Sequence, residues 1–199
     1  MTVLYYYFRK VYTEAICMDY TEKTLSREEI YKGRVVELHN DRILLPDGRE
    51  STREVMEHPG GVTVIPVDEQ GMVTCVRQYR YPMGRHLLEV PAGKLEKDED
   101  PLECAVRELS EETGLTAEKF IDLGRIYPSP GYSAEILYLY LALGLHPGEM
   151  HLDEGEFLDV EQHTLEELTE QIMRGELCDA KTVAAVLKAK RYLDEKGEN

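Results

Sequence analysis

The segment 93–115 constrains this chain more than any other, because it is a loop leading into a short helix crowded with carboxylates. Asp100 is a helix-capping residue, Pro101 suits a first helical turn, and Glu103 completes a capping pattern three residues after Asp100. Gly114 stands where a residue in the left-handed conformation is wanted to end a helix. The pattern therefore predicts a helix between these two ends.

The predicted helix has two faces of different character. Its apolar residues recur at helical spacing and are expected to face a core; they are Leu102, Ala105, Val106 and Leu109. On the remaining surface Glu108, Glu111 and Glu112 lie at positions i, i+3 and i+4, so their carboxylates are expected to converge on one patch. Carboxylates this close together repel each other, and a folded chain tolerates them when a cation lies between them.

The residue types in this patch indicate which cation. Oxygen ligands favour Mg²⁺ or Mn²⁺ over zinc. Arg107 lies four residues before Glu111 and is a candidate to hold that carboxylate in place, and Glu99 is a further candidate ligand or orienting group. The alternative is a solvated face, since glutamate-rich amphipathic helices are common and clustered glutamates alone seldom indicate a metal site.

The spacing of the whole segment is more specific than its glutamates. The segment reads Gly93, five residues, Glu99, seven residues, Arg107-Glu108-Leu109, one residue, Glu111-Glu112, one residue, Gly114-Leu115. This pattern resembles the Nudix box without a departure. The resemblance implies an α/β fold, the Nudix-type α/β/α sandwich with a mixed central sheet, in which the box forms a loop–helix–loop.

The resemblance also implies a chemistry, which is hydrolysis of a nucleoside diphosphate linked to another group, with Mg²⁺ held by the glutamates of the box helix. The metal-contacting residues that it implies are Glu108, Glu111, Glu112, Glu156 and Ala92. The catalytic residues that it implies are Glu112, Arg107 and Glu154.

Composition narrows the class of protein. Hydrophobic residues make up 42% and charged residues 31% of the 199 residues, which is typical of an ordinary globular protein. No apolar run reaches membrane-spanning length. The net charge of −16 argues against a nucleic-acid partner, yet it leaves room for a small anionic substrate, because bound divalent ions reverse the local field. The four cysteines have no metal-ligand spacing and no close pairing, which favours reduced thiols in a cytoplasm.

We expect three parts along the chain. Residues 1–17 are rich in aromatic side chains, and Met18 begins a different segment, so 1–17 are expected to be a non-native or disordered extension. Residues 18–57 are expected to form a strand module, with two strands at 34–45 and 49–57. This module is too small to be stable alone and must lie against the main domain or a second subunit. Residues 58–199 are expected to form the catalytic domain.

Alternating and continuous apolar runs predict a mixed sheet with helices on both faces. Strands are expected at 62–67, 72–79, 86–90, 120–127, 134–143 and 157–163, and helices after the box at 164–174 and 179–193.

Several segments outside the box are similar to the ADP-ribose pyrophosphatase subfamily of Nudix enzymes. They are 51–62, 77–80, 88–93 and 127–135. Pro130 lies sixteen residues after Gly114, where that subfamily has a proline. The resemblance implies a set of substrate-binding residues, which are Arg53, Glu54, Arg80, Pro130, Ser133 and Glu135.

The chemistry of three of these residues is consistent with substrate binding, and each also has an ordinary structural explanation. Arg53 and Arg80 each offer the planar fork that a pyrophosphate needs, although a lone arginine is more often a surface cation. Pro130 stiffens a loop able to wall a pocket, or it belongs to an ordinary tight turn. Glu135 is suited to accept hydrogen bonds from sugar hydroxyls, or it caps the next strand.

A second acidic cluster lies at 153–156. Such a run is usually a solvated loop. In the subfamily that the chain resembles, the matching loop carries a glutamate that acts as general base or metal ligand. We assign Glu154 as the base and Glu156 as an additional ligand.

The expected reaction is that of an ADP-ribose diphosphatase, in which ADP-ribose and water give AMP and ribose 5-phosphate. Two rivals remain. The first is hydrolysis of another nucleotide sugar, such as GDP-mannose or ADP-glucose. The second is a non-catalytic module that senses ADP-ribose. The resemblance further implies a homodimer, in which the N-terminal strands reach across to the partner's substrate pocket.

Overall fold

The computed structural model describes residues 19–197. The predicted extension at 1–17 and the predicted start at Met18 lie outside these residues. The described chain contains three sheets and three α-helices, which we number in chain order.

The N-terminal region forms an antiparallel sheet of three strands in the order β1-β2-β3. The strands are β1 (Lys23–Lys32), β2 (Glu37–Leu44) and β3 (Glu50–Glu57). A turn at Pro46-Asp47-Gly48 connects β2 to β3, between the two strands predicted there, and Gly48 adopts the positive φ of 84° that favours glycine. β1 is not predicted by the sequence, because it is mostly polar and all ten of its residues are exposed, so no apolar period marks it.

The rest of the chain is built on two further sheets. The first is a mixed sheet in the order β7-β4-β9-β8, in which β4 and β9 are parallel. Its strands are β4 (Gly61–Pro66), β7 (Ala92–Lys94), β8 (Leu115–Ile126) and β9 (Leu137–Pro147). The second is antiparallel in the order β10-β5-β6. Its strands are β5 (Met72–Arg80), β6 (Arg85–Glu89) and β10 (Leu158–Thr164).

Three helices cover the mixed sheet. They are α1 (Pro101–Thr113), α2 (Leu165–Met173) and α3 (Ala180–Lys196). Every residue of β4 is buried, and its two faces belong to different cores. Val62 and Val64 pack with Ala105 and Leu109 of α1, whereas Ile65 packs with residues of α2 and α3. The arrangement confirms the predicted α/β/α sandwich with a mixed sheet.

The two C-terminal helices begin where their capping residues predict. Thr164 and Glu167 form a reciprocal capping box at the start of α2. Asp179 caps α3 by accepting a hydrogen bond from the N–H of Thr182. None of the helices within residues 19–197 is both long and apolar enough to cross a membrane.

The predicted apolar face of α1 is partly wrong. Leu102 and Val106 are exposed, at 42% and 45% of their surface. The buried arc instead runs through residues one helical turn apart, which are Cys104, Ala105, Glu108, Leu109 and Glu112. Hydrophobicity misplaced the centre of this face because two members of the buried arc are glutamates.

Two strands also differ from expectation. β8 begins at Leu115, directly after the end of α1, rather than near residue 120. The three-residue strand β7 is not predicted either, because a strand this short carries no period of its own. β7 brings Ala92 and Gly93 beneath the glutamates of α1.

Candidate active site

The position of α1 is set by its two ends. The carboxylate of Asp100 accepts hydrogen bonds from the N–H groups of Leu102, at 2.8 Å, and Glu103. At the other end Gly114 has a φ of 68°, and its N–H donates to the carbonyl of Ser110. Both ends therefore follow the capping pattern predicted from sequence. They determine which side chains of the helix face β7.

β7 passes so close to α1 that Gly93 has no room for a side chain. A Cβ atom at Gly93 would lie 1.7 Å from the carboxyl group of Glu108. The Glu108 carboxylate therefore packs directly on the backbone of Gly93. One turn further along α1, Glu112 accepts a hydrogen bond of 3.0 Å from the N–H of Ala92. The two carboxylates thus lie over consecutive residues of the same short strand.

Arg107 connects the remaining acidic residues of the box. Its Nε and Nη2 atoms donate to Glu99, at 2.9 and 3.1 Å. Its Nη1 atom donates to Glu108 and to Glu111, each at 2.8 Å. The hydrogen bond from Arg107 lowers the pKa of Glu99 to about 2, and the bond to Glu99 is the largest cause of a raised pKa for Arg107 itself.

Glu108 and Glu112 experience the opposite shift. Burial raises the pKa of Glu108 to about 7, against the pull of Arg107. Burial likewise raises the pKa of Glu112 to about 8, and the charges of Glu108 and Glu156 add to the effect. Two carboxyl groups that repel each other out of water hold their protons unless a cation joins them. Arg107 does not supply enough charge for both.

The predicted convergence of three glutamates is not seen as a ready-made cage. Within residues 19–197, no three acidic, histidine or cysteine side chains gather at metal-binding spacing. Arg107 draws Glu111 and one oxygen of Glu108 to itself. The residues present nevertheless fit a hard divalent cation, because the site offers carboxylate oxygens and two buried carboxyl groups whose pKa is raised by burial, so that a cation would replace their protons.

A cleft of about 650 Å³ opens beside the two buried glutamates. The predicted site residues that line it are Arg80, Ala92, Gly93, Glu135 and Glu156. The cleft wall also carries cations, which are Arg80, Arg85, Lys94 and Lys181. Four acidic side chains, Glu89, Glu135, Glu156 and Asp179, line the same wall, so its basic and acidic side chains are equal in number.

Other predicted substrate residues do not line this cleft in the described chain. Arg53 lies on β3, where its guanidinium binds the carboxylate of Glu22. Its neighbour Glu54 is exposed. Pro130 is exposed in a turn, and the buried Ser133 accepts a hydrogen bond from the N–H of Glu135.

The acidic loop between β9 and β10 is fastened to the end of α1. The N–H of Gly148 donates to the carbonyl of Gly114, and the N–H of His151 donates to the carbonyl of Glu111, at 3.0 Å. The loop then turns at Gly155, with a φ of 90°. Glu156 lines the cleft, whereas Glu154 is exposed and does not line it.

Sequence reasoning missed several residues of the cleft wall. His58, Glu89, Asp179 and Lys181 come from four separate segments, and no local motif links them. One signal was present: Glu89, the last residue of β6, interrupts an otherwise apolar run at 87–92, and it is only 1% exposed. A buried charge of this kind is rarely without a partner.

Comparison with known proteins agrees with this geometry. Residues 57–186 match the model of the NUDIX domain, and residues 22–56 match that of the nucleoside diphosphate sugar hydrolase N-terminal domain. The chain is 42% identical to an ADP-ribose pyrophosphatase of Bacillus subtilis (strain 168) over 167 residues, covering 83% of this chain and 90% of that protein.

Two further similarities extend the comparison. A methanol dehydrogenase activator of Bacillus methanolicus is 45% identical over 169 residues, covering 84% of this chain and 91% of its own length. The crystal structure of an ADP compounds hydrolase has the same fold, with a TM-score of 0.80 and 21% identity, over 90% of this chain and 97% of the other. The chain therefore belongs to the Nudix hydrolase family.

Proposed function

We propose that this protein hydrolyses the pyrophosphate bond of ADP-ribose, or of a close ADP-sugar, to AMP and the sugar phosphate, with Mg²⁺ or Mn²⁺ as its cofactor. The observation that carries the proposal is the position of Glu108 and Glu112, which are buried against Gly93 and Ala92, two residues that line a cleft of about 650 Å³. The similarity to an ADP-ribose pyrophosphatase supports the choice of substrate.

The box residues divide the work of holding the cation. Glu108 and Glu112 are the primary ligands, because both are buried and their raised pKa values show that the fold alone does not stabilise their charged forms, which a bound cation would do. Glu111 is the third, and Arg107 holds Glu111 and Glu108 in place until the cation binds. When bound, the cation would withdraw charge from the pyrophosphate and acidify a water molecule. Ala92 and Gly93 form the floor of this site.

The acidic loop supplies the group that accepts the proton of the attacking water. We assign Glu154 as the base and Glu156 as an additional metal contact. Since only Glu156 lines the cleft, Glu154 requires the loop to turn inward. Glu154→Gln and Glu156→Gln distinguish the two roles. Loss of the base lowers kcat and removes the acidic limb of the pH profile, whereas loss of a metal contact raises the Mg²⁺ concentration needed for activity.

The remaining substrate residues are divided between the cleft and the N-terminal sheet. Arg80 binds the diphosphate, and Glu135 with its neighbour His58 faces the sugar. We propose that the protein is a homodimer in which Arg53 and Glu54 reach the partner's cleft. The exposed apolar side chains of the N-terminal region support this arrangement; they are Tyr20, Leu25, Ile30, Tyr31 and Val35. A fully active monomer in sedimentation analysis would contradict it.

The proposed setting is a reducing cytoplasm, without nucleic-acid or membrane partners. Cys75, Cys104 and Cys178 are free thiols in the described chain. Burial raises the pKa of Cys75 and of Cys104 to about 12, so both stay as thiols at neutral pH.

Product identification tests the proposal. Purified protein is incubated with ADP-ribose and Mg²⁺, and the products are separated and identified, with Glu112→Gln as the matched inactive control. We expect AMP and ribose 5-phosphate. A panel of nucleoside diphosphate sugars, including GDP-mannose and ADP-glucose, establishes the preference. Tight binding of ADP-ribose in calorimetry without turnover of any member of the panel would instead indicate a sensing module.

A further inference from the structure

Glu89 is the most deeply buried charged group at the cleft, with 1% of its side chain exposed. Its carboxylate accepts two hydrogen bonds from Arg80, one from Nε at 2.7 Å and one from Nη2 at 2.6 Å. The ammonium group of Lys181, which comes from the first turn of α3, binds the same carboxylate. One buried anion therefore joins β5, β6 and α3 at the wall of the cleft.

The first turn of α3 is itself fixed in place. Asp179 binds the ammonium of Lys181 at 2.9 Å and accepts hydrogen bonds from the N–H and Oγ1 of Thr182, at 3.0 and 2.6 Å. Thr182 Oγ1 in turn accepts a hydrogen bond from the N–H of Val90 at 3.1 Å. The chain that leads from Glu89 to β7 is thus bound to the same helix end.

The charges of this group balance. Glu89 and Asp179 carry two negative charges, and Arg80 and Lys181 carry two positive ones. Burial alone would raise the pKa of Asp179, yet Lys181 and Thr182 lower it. Without Lys181, the buried carboxylates would outnumber their cations, and a negative charge would face any phosphate entering the cleft.

The hydrogen bonds of Arg80 leave one edge of its guanidinium group for a ligand. A guanidinium has five N–H groups on a rigid planar fork. Glu89 occupies the edge formed by Nε and Nη2. Both hydrogens of Nη1 and the second hydrogen of Nη2 remain for another planar or tetrahedral anion, so the bond to Glu89 determines which edge of Arg80 is presented to a ligand.

We infer that Glu89 and Lys181 are positioning residues, which hold Arg80 with its outer edge toward the pyrophosphate. This inference rests on the proposed function. Lys181 acts through Arg80: it neutralises the second charge on the Glu89–Asp179 pair, so that Glu89 can hold Arg80 without making the cleft negative. The role lies outside the Nudix box and assigns a task to the start of α3.

Steady-state kinetics with ADP-ribose test the inference in Lys181→Met, with Lys190→Met as the matched control. Lys190 lies on the same helix and pairs with Glu166 away from the cleft. We expect the KM of Lys181→Met to rise about tenfold, the effect of weakening one charge-assisted hydrogen bond, while kcat changes little. Lys181→Arg restores most of the affinity. Lys190→Met has the kinetics of wild type.

A double-mutant cycle shows whether the effect passes through Arg80. If it does, Lys181→Met adds little to the KM of Arg80→Lys. An unchanged KM in Lys181→Met, or effects of the two substitutions that multiply in full, would overturn the inference. Glu89→Gln provides a second test, with the same rise in KM expected, and circular dichroism confirms that each variant is folded.

The design separates this inference from the proposed function. If the wild type turns over no nucleotide sugar, the proposed reaction is wrong, and the same variants are compared by calorimetry with ADP-ribose. Equal dissociation constants for wild type and Lys181→Met would then overturn the inference. A wild type that neither hydrolyses nor binds ADP-ribose would overturn both.

Discussion

The N-terminal sheet and helix α1 are both rich in charge, yet they use it in opposite ways. In the sheet, opposite charges pair across the surface, as in Arg42 and Glu50, whose side chains are each 58% exposed. In α1, Glu108 and Glu112 have the same sign and are buried. Exposed pairs contribute little to stability, whereas buried like charges are costly. The second arrangement therefore calls for a functional explanation and the first does not.

Asp41 refines this contrast. It lies in β2 and is only 4% exposed, so burial alone does not distinguish it from the glutamates of α1. Arg27 donates to both of its carboxylate oxygens, and that hydrogen bonding lowers the pKa of Asp41. The pKa values of Glu108 and Glu112 are raised instead. What marks the site is that Glu108 must share Arg107 with Glu99 and Glu111, while Glu112 is held by a backbone N–H of Ala92.

Glu112→Gln should produce the largest break in the comparison. The substitution keeps the shape of the side chain and removes the carboxylate that we propose as a metal ligand, so we expect turnover to fall by several orders of magnitude at saturating Mg²⁺. Without Mg²⁺ the melting temperature should stay the same or rise, because Gln keeps the shape of the buried carboxyl group and cannot ionise. Glu103→Gln, an exposed position on the same helix, is the control. Turnover within a few-fold of wild type would contradict the metal assignment.

Gly93→Ala should have the second-largest effect. We expect turnover to fall about a hundredfold, which is the usual consequence of displacing a catalytic group by about an ångström. The added Cβ would meet the carboxyl group of Glu108 at 1.7 Å and push it aside. Because the obstacle is the end of a flexible side chain, the fold should persist. Gly131→Ala adds a Cβ that meets nothing within 4 Å and serves as the control. Full activity in Gly93→Ala would show that Glu108 works from another position.

The stabilising effect of Mg²⁺ should depend on pH. The ordinary pKa of both glutamates is 4.5, and in the fold it is about 7 for Glu108 and about 8 for Glu112. At pH values between the ordinary pKa of 4.5 and these raised values, the unfolded chain binds fewer protons than the folded one. The contribution of the two groups to the free energy of unfolding therefore falls as pH rises through this range. Mg²⁺ binds the deprotonated carboxylates and reverses this loss.

The measurement is the melting temperature with and without Mg²⁺. We expect a larger Mg²⁺-induced increase at about pH 8 than at about pH 6, because fewer protons must be displaced at the higher pH. In the double variant Glu108→Gln/Glu112→Gln the increase should be small at both values. An increase that is independent of pH in the wild type would place the cation elsewhere.

Arg42→Gln should have the smallest effect. It tests the exposed charge pairs of the N-terminal sheet, with which the buried glutamates of α1 are compared. It removes the partner of Glu50 in an exposed pair with an Nη2–Oε2 distance of 2.6 Å. We expect the free energy of unfolding to change by less than about 1 kcal/mol, with unchanged turnover. Denaturant titration and the ADP-ribose assay check this. A larger loss of stability would mean that the charges of the N-terminal sheet form a coupled network.

The elements that could be predicted are those with local signals. The caps at Asp100 and Gly114 lie where they were expected, and the last two helices begin within one residue of their expected starts, because helix ends depend on a few neighbouring residues. Strand β1 escaped prediction, since a strand exposed on both faces has no apolar alternation. The expected core face of α1 failed for a related reason: the buried glutamates Glu108 and Glu112 stand where an apolar pattern would have continued.

In the candidate site, too, residues with a local sequence signal could be predicted and residues brought together by the tertiary structure could not. The box is recognisable from the spacing of one continuous segment, so its glutamates were found from sequence. The wall of the cleft is assembled from β5, β6 and α3, and the hydrogen bonds among Arg80, Glu89 and Lys181 join residues as many as 92 positions apart. Only the tertiary structure brings such residues together, and a single buried charge in β6 was the one hint.

The two hydrogen bonds that fasten Gly148 and His151 to the end of α1 have a consequence for protein engineering. They make the first part of the β9–β10 connection a rigid extension of the helix, so only the stretch from about residue 152 onward is available to swing. A graft that exchanges this connection between relatives should therefore take its splice points inside 152–157. Splicing at the strand ends would discard the anchor and leave the transplanted acids without a fixed pivot.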